Sequence, residues 1–349
     1  MAKLPDFTDL KVAVLGDGIA DHYVSAVPTR PSREAPVLVF RHTREELRPG
    51  GAANVARNVS RLGARGMSFG VVGGDEPGLD LRSVLAIDYV DISALVVAAR
   101  WQTPTKMRVL AGDAHRTPQQ VLRLDREPQG PPPEDALSQV EAALERAAGD
   151  LDALIISDYG YGGVDEGGLR IAQSLAERGV PVVIDPRDRF SLIESPTALT
   201  PNLDELARFA GVRSEDLMAP RLLVEVAEDL RSRSGAAWIL ATLGNRGMAL
   251  IGPDQQYFEV DVHGMDDAVD VSGAGDTAAA VFTLGLAAGS HPREAMEMAN
   301  AAAGLVVMEQ GTSALTRNEL RAAFEETARS RELALEGQSG EMQRTERRG

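Results

Sequence analysis

The sequence has 349 residues, with 36 Lys and Arg against 52 Asp and Glu, and therefore a formal net charge of −16. This length accommodates one large domain or two smaller ones, each able to bury a full hydrophobic core. The acidic balance argues against a nucleic-acid-binding protein, because binding a polyanion requires a surplus of basic residues. A small anionic substrate remains compatible with it, since a local cationic pocket can form in an acidic protein.

Composition also excludes several kinds of site. Without cysteine there is no disulfide, thiol nucleophile or cysteine-based metal centre. The five histidines show no metal-binding spacing, so we expect no histidine-rich centre. The apolar stretches are far shorter than the roughly 18 residues of a membrane helix. Residues 1–10 lack the apolar core of a signal peptide, and we expect a cytoplasmic protein with no membrane partner.

Strand and helix patterns alternate along the chain. The predicted strands are Lys11–Leu15, Ser68–Val72, Ala153–Ser157, Pro181–Ile184 and Ala237–Thr242. The predicted helices are Ala52–Leu62, Glu134–Ala148, Gly167–Arg178, Arg221–Arg233 and Ala278–Ala288. This order predicts an α/β fold with a mainly parallel sheet between helices. Met248–Gly252 and Gln256–Val260 flank a turn and are predicted to be antiparallel edge strands.

Two segments interrupt the alternation. Tyr23–Phe40 and Thr105–Asp125 contain short extended runs without a long helix. They form either a small second sheet over one end of the parallel sheet or ordinary edge strands, and the pattern favours neither. Residues 331–349 have almost no aliphatic content and are predicted to be disordered.

The loop Gly16–Asp21 follows the first strand but does not fit a dinucleotide-binding motif. Asp21 stands where that motif needs Gly or Ala, and no clear helix follows. Because ligands bind at strand ends in open α/β sheets, we interpret Asp17 and Asp21 as hydroxyl-binding carboxylates rather than solvated turn residues.

The octet Asp270–Thr277 indicates catalysis. Gly273, Ala274 and Gly275 allow close backbone approach, and their N–H groups at a helix N-terminus form an anion site. Asp276 alone is typical of an ordinary helix start. In this octet it fits a general base that takes a proton from a hydroxyl while the amides stabilise a transferring phosphoryl group.

Three other loops carry polar groups. Thr242–Gly247 suits phosphate contact or is an ordinary glycine-rich turn. Asn202–Glu205 predicts a capping box at a helix start, or alternatively a site near hydrated Mg²⁺. Gly50 and Gly51 precede a helix whose first turn presents Asn54, which suits a sugar-hydroxyl site.

Together these motifs resemble the ribokinase-like (PfkB) carbohydrate kinases, from about residue 11 to about residue 326. Asp270–Asp276 matches the family signature in full. Gly50, Gly51 and Asn54 resemble its early glycine motif, Thr242–Gly247 its nucleotide loop and Asn202–Glu205 its magnesium motif. The resemblance implies one Rossmann-like ribokinase-fold domain (1–330) with a discontinuous β-sheet lid at about 23–42 and 95–125. It also implies an ATP-dependent sugar kinase that needs Mg²⁺, uses K⁺ in some members and often dimerises through the lid.

The residues implied by the resemblance fall into four groups. Asp276, Gly273, Ala274 and Gly275 are expected to act in catalysis. The substrate-binding set is Asp17, Asp21, Gly50, Gly51, Asn54, Lys106, Arg108, Arg123, Asp158, Asp185 and Arg187. The nucleotide set is Asn202, Thr242, Gly244, Arg246, Gly247, Gly275 and Asn300. Asn202 and Glu205 would orient Mg²⁺ through water, and Asp270, Ser272, Val306, Glu309 and Gly311 would hold a monovalent cation.

Within the family, the chain is most similar to D-glycero-β-D-manno-heptose 7-phosphate kinase domains. Shared stretches include Arg48–Ala56, Ser157–Tyr159 and Thr200–Leu203. The similarity implies phosphorylation of the anomeric hydroxyl of a heptose 7-phosphate, and we expect no nucleotidylyltransferase domain in the short segment after residue 326. Tyr161 and Arg187 replace two lysines of that pattern, which leaves a kinase for another sugar or sugar phosphate as the alternative. A catalytically silent sugar-binding protein is the alternative from a different class.

Overall fold

The computed structural model describes residues 3–112, 118–264 and 269–327. The strands are β1 (Lys11–Gly16), β2 (Gly18–Pro31), β3 (Leu38–Gly51), β4 (Arg65–Gly73), β5 (Leu95–Ala98), β6 (Thr105–Ala111), β7 (Gln119–Arg126), β8 (Ala153–Ser157), β9 (Val182–Asp185), β10 (Ala198–Leu199), β11 (Trp238–Thr242), β12 (Met248–Ile251) and β13 (Tyr257–Val260). The helices are α1 (Ala52–Arg61), α2 (Glu76–Ile87), α3 (Glu134–Ala147), α4 (Glu166–Glu177), α5 (Leu203–Ala210), α6 (Pro220–Ser234), α7 (Ala274–Ala287) and α8 (Pro292–Val306). The predicted disorder at 331–349 lies outside the described residues.

Within the described ranges, nine strands form one large sheet in the order β13-β12-β11-β10-β9-β8-β1-β4-β5. The pairs from β11 through β5 are parallel. The last two strands, β12 and β13, pair antiparallel at one edge. The predicted mainly parallel sheet with an antiparallel edge is confirmed.

Helices cover both faces of this sheet, as the alternation along β1 illustrates. Val12 and Val14 pack into the core formed with α1, α7 and α8. Ala13 and Leu15 pack on the other side with α3, α4, α5 and α6. Since side chains alternate across a strand, burial on both faces explains why the central strands are almost entirely apolar.

A second sheet has the order β3-β2-β6-β7 in the described part of the chain. β2 pairs antiparallel with β3 and parallel with β6, which pairs antiparallel with β7. The hairpin begins at Gly18, directly after β1, and so extends beyond the expected 23–42 segment. Residues 95–98 belong to β5 of the large sheet, which corrects the expected 95–125 boundary. Exposure of one face makes these strands rich in charge, so the sequence pattern understated their length.

The pleat of the second sheet separates two faces. Asp21 pairs with Lys106, and Tyr23 with Arg108, which in turn pairs with Arg123. Paired residues point to the same side of a sheet. The charged face formed by these five residues includes a buried ion pair between Asp21 and Arg108.

Candidate active site

Asp276 lies on the first turn of α7, beside the ends of the central parallel strands. Gly273 is the N-cap of α7 with φ of 79°, in the left-handed region that favours glycine. A Cβ at Gly273 would lie 2.7 Å from Nδ2 of Asn54. The glycine therefore lets α1 and α7 approach closely enough for Asn54 to reach Asp276. The helix begins at Ala274, four residues before the predicted start.

The Asp276 carboxyl group is buried and accepts two side-chain hydrogen bonds. Nδ2 of Asn54 donates to Oδ2 at 2.9 Å, and the Tyr159 hydroxyl donates to Oδ1 at 2.9 Å. Burial raises the pKa of Asp276 to about 6, and the donors from Asn54 and Tyr159 act against that rise. Asp276 is consequently ionised at neutral pH while its charge remains poorly solvated, which suits a general base.

A cavity of about 340 Å³ opens in front of Asp276. Asp158, Asp185, Thr200 and Thr242 line it, and each lies at or just after the carboxyl end of a strand from β8 to β11. In open α/β sheets this edge is where ligands bind. The structure gathers these predicted residues around the cavity: Asp158, Asp185, Arg187, Asn202, Glu205, Thr242, Gly273, Gly275 and Asp276.

One side of the cavity is acidic. Burial raises the pKa of Asp185 well above its ordinary value, although the Thr200 hydroxyl donates to Oδ1 of Asp185 at 2.7 Å. Burial also raises the pKa of Glu205 to about 7. Among the described residues, no group of three or more His, Cys, Asp or Glu is arranged to hold a metal ion by itself. A cation here would therefore need ligands from substrate oxygens or water.

The predicted capping box is present at α5. The Asn202 side chain accepts from the Glu205 amide at 3.0 Å, and Glu205 Oε2 accepts from the Asn202 amide at 2.8 Å. These bonds occupy Oδ1, the single side-chain oxygen of Asn202, and one of the two carboxylate oxygens of Glu205, and both residues line the cavity. The structural interpretation is thus confirmed, and the magnesium interpretation stays a prediction.

The charged face of the second sheet forms a second part of the site around Asp21. Asp21 is 4% exposed, and a Cβ on Gly50 would lie 2.4 Å from its Oδ2. Lys106 Nζ lies 5.0 Å from the centroid of the Tyr159 ring. Burial lowers the pKa of Lys106, and the charges of Asp21 and Asp276 oppose that effect. Positive charge is thereby held between these two carboxylates.

Comparison with known proteins now identifies the family. A model described as pfkB family carbohydrate kinase matches residues 10–319. The chain belongs to the pfkB family of carbohydrate kinases. Kinases of this family transfer a phosphoryl group to a hydroxyl acceptor, and kinases of this fold use ATP and Mg²⁺.

Curated relatives of the kinase include proteins named Bifunctional protein HldE. The protein from Azorhizobium caulinodans is 37% identical over 321 residues, which cover 91% of this chain and 65% of the relative. The one from Vibrio vulnificus strain CMCP6 is 38% identical over 325 residues, which cover 92% of this chain and 65% of the relative. The chain thus spans about 65% of the length of these relatives.

Solved structures show the same fold. A ribokinase of Arabidopsis thaliana complexed with ribose and ATP superposes with a TM-score of 0.69 at 20% identity, covering 90% of this chain and 99% of that one. Phosphofructokinase-2 of Escherichia coli in complex with potassium superposes with a TM-score of 0.73 at 19% identity, covering 92% of this chain and 99% of that one. The expected ribokinase-like fold is confirmed. In the described part of the kinase, no helix is long and apolar enough to cross a membrane.

Asp17 requires a correction, because its side chain is already fully used within the protein. Oδ2 accepts from the amides of Tyr159 and Tyr161 at 3.0 Å each, and Oδ1 accepts from the Gly163 amide at 2.8 Å. The residue is 2% exposed. Asp17 therefore fixes the loop after β8 instead of binding a sugar hydroxyl.

Asn54 and Asp158 also contact other parts of the kinase. Asn54 is fully buried, and its amide donates to Oδ2 of Asp276, which corrects the expected sugar contact. Oδ2 of Asp158 accepts from Arg189 Nε at 2.7 Å, and Oδ1 accepts from the Gly160 amide at 3.1 Å. With both oxygens occupied, Asp158 shapes the cavity and is a poor candidate for holding a substrate.

The expected nucleotide loop is only partly at the cavity. Thr242 lines it, but the Arg246 guanidinium donates to Glu259 at 3.2 Å and to the Met218 carbonyl at 3.0 Å. Asn300 is 3% exposed and donates to the Asp261 carbonyl at 2.8 Å. The side chains of Arg246 and Asn300 therefore stabilise the nearby backbone. Gly244 and Gly247 are in the same turn as Arg246 and stay predictions.

The residues expected around a monovalent cation come together in part. Asp270 accepts from the Ser272 amide at 2.9 Å and from the Gly311 amide at 3.0 Å. The Val306 carbonyl accepts from the Glu309 amide at 3.1 Å. Next to Gly311, the buried hydroxyl oxygens of Thr312 and Ser313 have no hydrogen-bond partner among the described residues. Orphaned oxygens beside a carboxylate fit a hard cation.

Sequence reasoning missed Tyr159 as a functional residue. Its position directly after Asp158 gave no catalytic signal, because the contact with Asp276 joins residues 117 positions apart. Tyr23 was missed for the same reason: its hydroxyl accepts from the Thr312 amide at 3.1 Å, across 289 positions. Only the folded chain brings these pairs together.

Proposed function

We propose that this kinase transfers the γ-phosphoryl group of ATP to the anomeric hydroxyl of D-glycero-β-D-manno-heptose 7-phosphate, giving the 1,7-bisphosphate. One observation carries the phosphotransfer: the Asp276 carboxyl group, with a pKa of about 6, faces a cavity at the N-terminus of a buried helix. That position combines a base with a site for negative charge.

In this mechanism Asp276 takes the proton of the acceptor hydroxyl, whose oxygen forms a bond to the γ-phosphorus. The bond from the γ-phosphorus to the bridging β–γ oxygen breaks, and ADP leaves with that electron pair. Backbone amides at the start of α7 stabilise the charge on the phosphoryl group. The Ala274 amide donates to the Val271 carbonyl at 3.3 Å, so Gly273, Gly275 and Asp276 are the better candidates.

The donor set beside the cavity fits Mg²⁺. Asp185, Asn202 and Glu205 offer oxygen atoms there, and Mg²⁺ prefers a few carboxylates supplemented by water and phosphate. When bound, the ion supplies positive charge to the phosphates during transfer. Glu205 would orient it through water with the carboxylate oxygen that the capping box leaves free, and Asn202 through the remaining lone pair of its Oδ1.

The acceptor is assigned to the charged face of the second sheet. Asp21 would bind a sugar hydroxyl next to the backbone of Gly50 and Gly51. Lys106, Arg108 and Arg123 would bind the substrate phosphate, with Arg187 at the cavity edge. The heptose assignment rests on the shared sequence stretches and on the relatives named HldE.

Another sugar, with or without a phosphate, is the second candidate acceptor, and Tyr161 is the observation that favours it. Tyr161 stands where the heptose kinase pattern has lysine, and its hydroxyl donates to Glu127 at 3.3 Å. The adjoining pocket is lined by Tyr161, Glu127, Arg187 and Asp188. One cation among two carboxylates binds a phosphate less strongly than two lysines would.

The deciding experiment is a coupled ATP-turnover assay over sugars and sugar phosphates. We expect turnover with heptose 7-phosphate and little with unphosphorylated sugars. A higher kcat/KM for fructose 6-phosphate or ribose would assign the second candidate. Absence of turnover with every acceptor in the presence of Mg²⁺ and K⁺ would overturn the proposed reaction.

K⁺ is the proposed monovalent cation at Asp270, Ser272 and Gly311, with Val306 and Glu309 nearby. Its charge would support the loop leading into α7.

The second sheet also suits a homodimer. On its outer face Met107 pairs with Leu124 and Val109 with Leu122, and both leucines are about half exposed. A contiguous exposed apolar face is typical of an interaction surface.

A further inference from the structure

Tyr159 connects three parts of the candidate active site. Its amide donates to Asp17 at 3.0 Å, which fixes its backbone. Its hydroxyl donates to Oδ1 of Asp276 at 2.9 Å. Lys106 Nζ lies 5.0 Å from the centroid of its ring, within the range of a cation–π contact. The side chain is held at both ends, and its hydroxyl contacts Asp276, the proposed base, directly.

The charges around Asp276 determine what this hydroxyl contributes. Asp21 and Asp185 repel a negative charge on Asp276, and Lys106 attracts it. Asn54 donates to Oδ2 from α1, and Tyr159 donates to Oδ1 from the loop after β8. Burial and the charge of Asp276 raise the pKa of Tyr159 well above its ordinary value, so this hydroxyl keeps its proton.

We propose that Tyr159 is a positioning residue for the phosphotransfer: its hydroxyl holds Oδ1 of Asp276 and stabilises the ionised carboxylate in the orientation that faces the cavity. The inference rests on the proposed role of Asp276 as general base. Without the Tyr159 hydroxyl, Asn54 would be the one remaining side-chain donor to the carboxylate among the described residues, and the carboxylate would rotate more freely and ionise at higher pH.

The test compares Tyr159→Phe with Tyr159→Leu on the full chain. The Phe variant keeps the ring under Lys106 and loses only the hydroxyl. We expect its kcat to fall about tenfold and the acidic limb of the kcat/KM profile to move up by about one pH unit, because a donor to a charged acceptor is lost. The acceptor KM should change less than twofold. The Leu variant should additionally raise the acceptor KM, since Lys106 loses its contact with the ring.

Tyr89→Phe is the matched control, because Tyr89 is 89% exposed and lies after α2. Circular dichroism and thermal melting establish that each variant is folded. If Tyr159→Phe lowers kcat with an unmoved pH profile, the hydroxyl has only a structural effect and the inference is wrong. An unchanged kcat also overturns it.

Asp276→Asn separates the two proposals. If Asp276→Asn abolishes turnover and Tyr159→Phe changes neither kcat nor the profile, the base assignment stands and the Tyr159 inference fails alone. If Asp276→Asn retains turnover, the base assignment itself fails, and the Tyr159 inference fails with it.

Discussion

Two buried aspartates of this kinase illustrate how burial and partners assign different roles to one residue type. Asp17 accepts hydrogen bonds from three backbone amides and is 2% exposed. Asp276 accepts two side-chain donors and lines an open cavity. A carboxylate bound by amides stabilises a loop, whereas one facing a cavity with a raised pKa can exchange a proton with a ligand.

For this reason we expect Asp276→Asn to reduce kcat by at least about 10²-fold, the lower range for a general base. The Kd for ATP should stay within about twofold, because the amides at the start of α7 remain. Steady-state kinetics and calorimetric titration with ATP measure the two quantities. A variant that keeps more than a tenth of the parent kcat would contradict the assignment.

The raised pKa of Asp276 also has a consequence for stability. The pKa of Asp276 in the folded protein, about 6, lies above its ordinary value of 3.8. The protonated carboxyl group therefore stabilises the folded state fully below pH 4, and this stabilisation is lost as the pH rises through 6. The loss is on the order of 3 kcal/mol for a shift of about two units. Asp276→Asn should therefore melt higher than the parent at pH 8, with the difference disappearing towards pH 4. A lower melting temperature at pH 8 would contradict this.

At the scale of elements, α5 combines a structural and a proposed functional use of the same residues. The capping box of Asn202 and Glu205 satisfies amides at the helix start. Loss of such a cap costs about 1 kcal/mol. Both residues line the cavity, where the magnesium proposal uses the second carboxylate oxygen of Glu205 and the remaining lone pair of Asn202 Oδ1.

Variants of α5 separate the cap from the proposed metal role. Asn202→Ala should lower the melting temperature, and Asn202→Asp should restore it, since Asp also caps helices. Glu205→Gln keeps an acceptor for the Asn202 amide but removes the charge. We expect it to melt like the parent near pH 4, where Glu205 is protonated, and above the parent at pH 8, because the pKa of Glu205 is raised to about 7. At pH 8 it should need about tenfold more Mg²⁺ for half-maximal activity, measured by Mg²⁺ titration at saturating ATP. An unchanged Mg²⁺ requirement would limit Glu205 to capping.

The hairpin of β2 and β3 brings Asp21 against the backbone of Gly50. Because a Cβ at Gly50 would lie 2.4 Å from Oδ2 of Asp21, Gly50→Ala must displace that carboxylate. We expect the acceptor KM to rise at least about tenfold with the ATP KM unchanged, by steady-state kinetics, since one hydrogen bond to a charged group is lost. Gly149→Ala is the control, because nothing lies within 4 Å of a Cβ there. Equal acceptor KM values for both variants would remove Asp21 from the acceptor site.

At the scale of the whole molecule, the second sheet separates charge from apolar surface. Its inner face carries Asp21, Lys106, Arg108 and Arg123 towards the site. In a chain of net charge −16, this local cluster and the helix amides are what would attract a phosphorylated sugar. The outer face carries Leu122 and Leu124 of β7, whose apolar side chains are unfavourably exposed to solvent.

We therefore expect the double variant Leu122→Asp, Leu124→Asp to convert the proposed dimer to a monomer. Light scattering after gel filtration measures the mass. Leu79→Asp on α2, also about half exposed, is the control and should leave the mass unchanged. A parent chain that is already monomeric at micromolar concentration would overturn the dimer proposal.

The sequence by itself determined the central architecture and the loop that leads into α7. Apolar strands buried on both faces produce a strong local pattern, and the octet Asp270–Thr277 is contiguous, so neither depends on distant contacts. The capping box at Asn202 was predictable for the same reason, since its partners lie three residues apart.

Tertiary structure alone decided what the polar side chains near that loop do. Asp17 and Asn54 lie at strand and helix ends as expected, yet packing turned one towards the loop after β8 and the other towards Asp276. The long hairpin of the second sheet was also understated, because a strand with one exposed face carries charge that weakens its apolar pattern. Hydrogen bonds between residues more than a hundred positions apart, such as that from Tyr159 to Asp276, leave no periodic signal in the chain and arise only when folding brings the elements together.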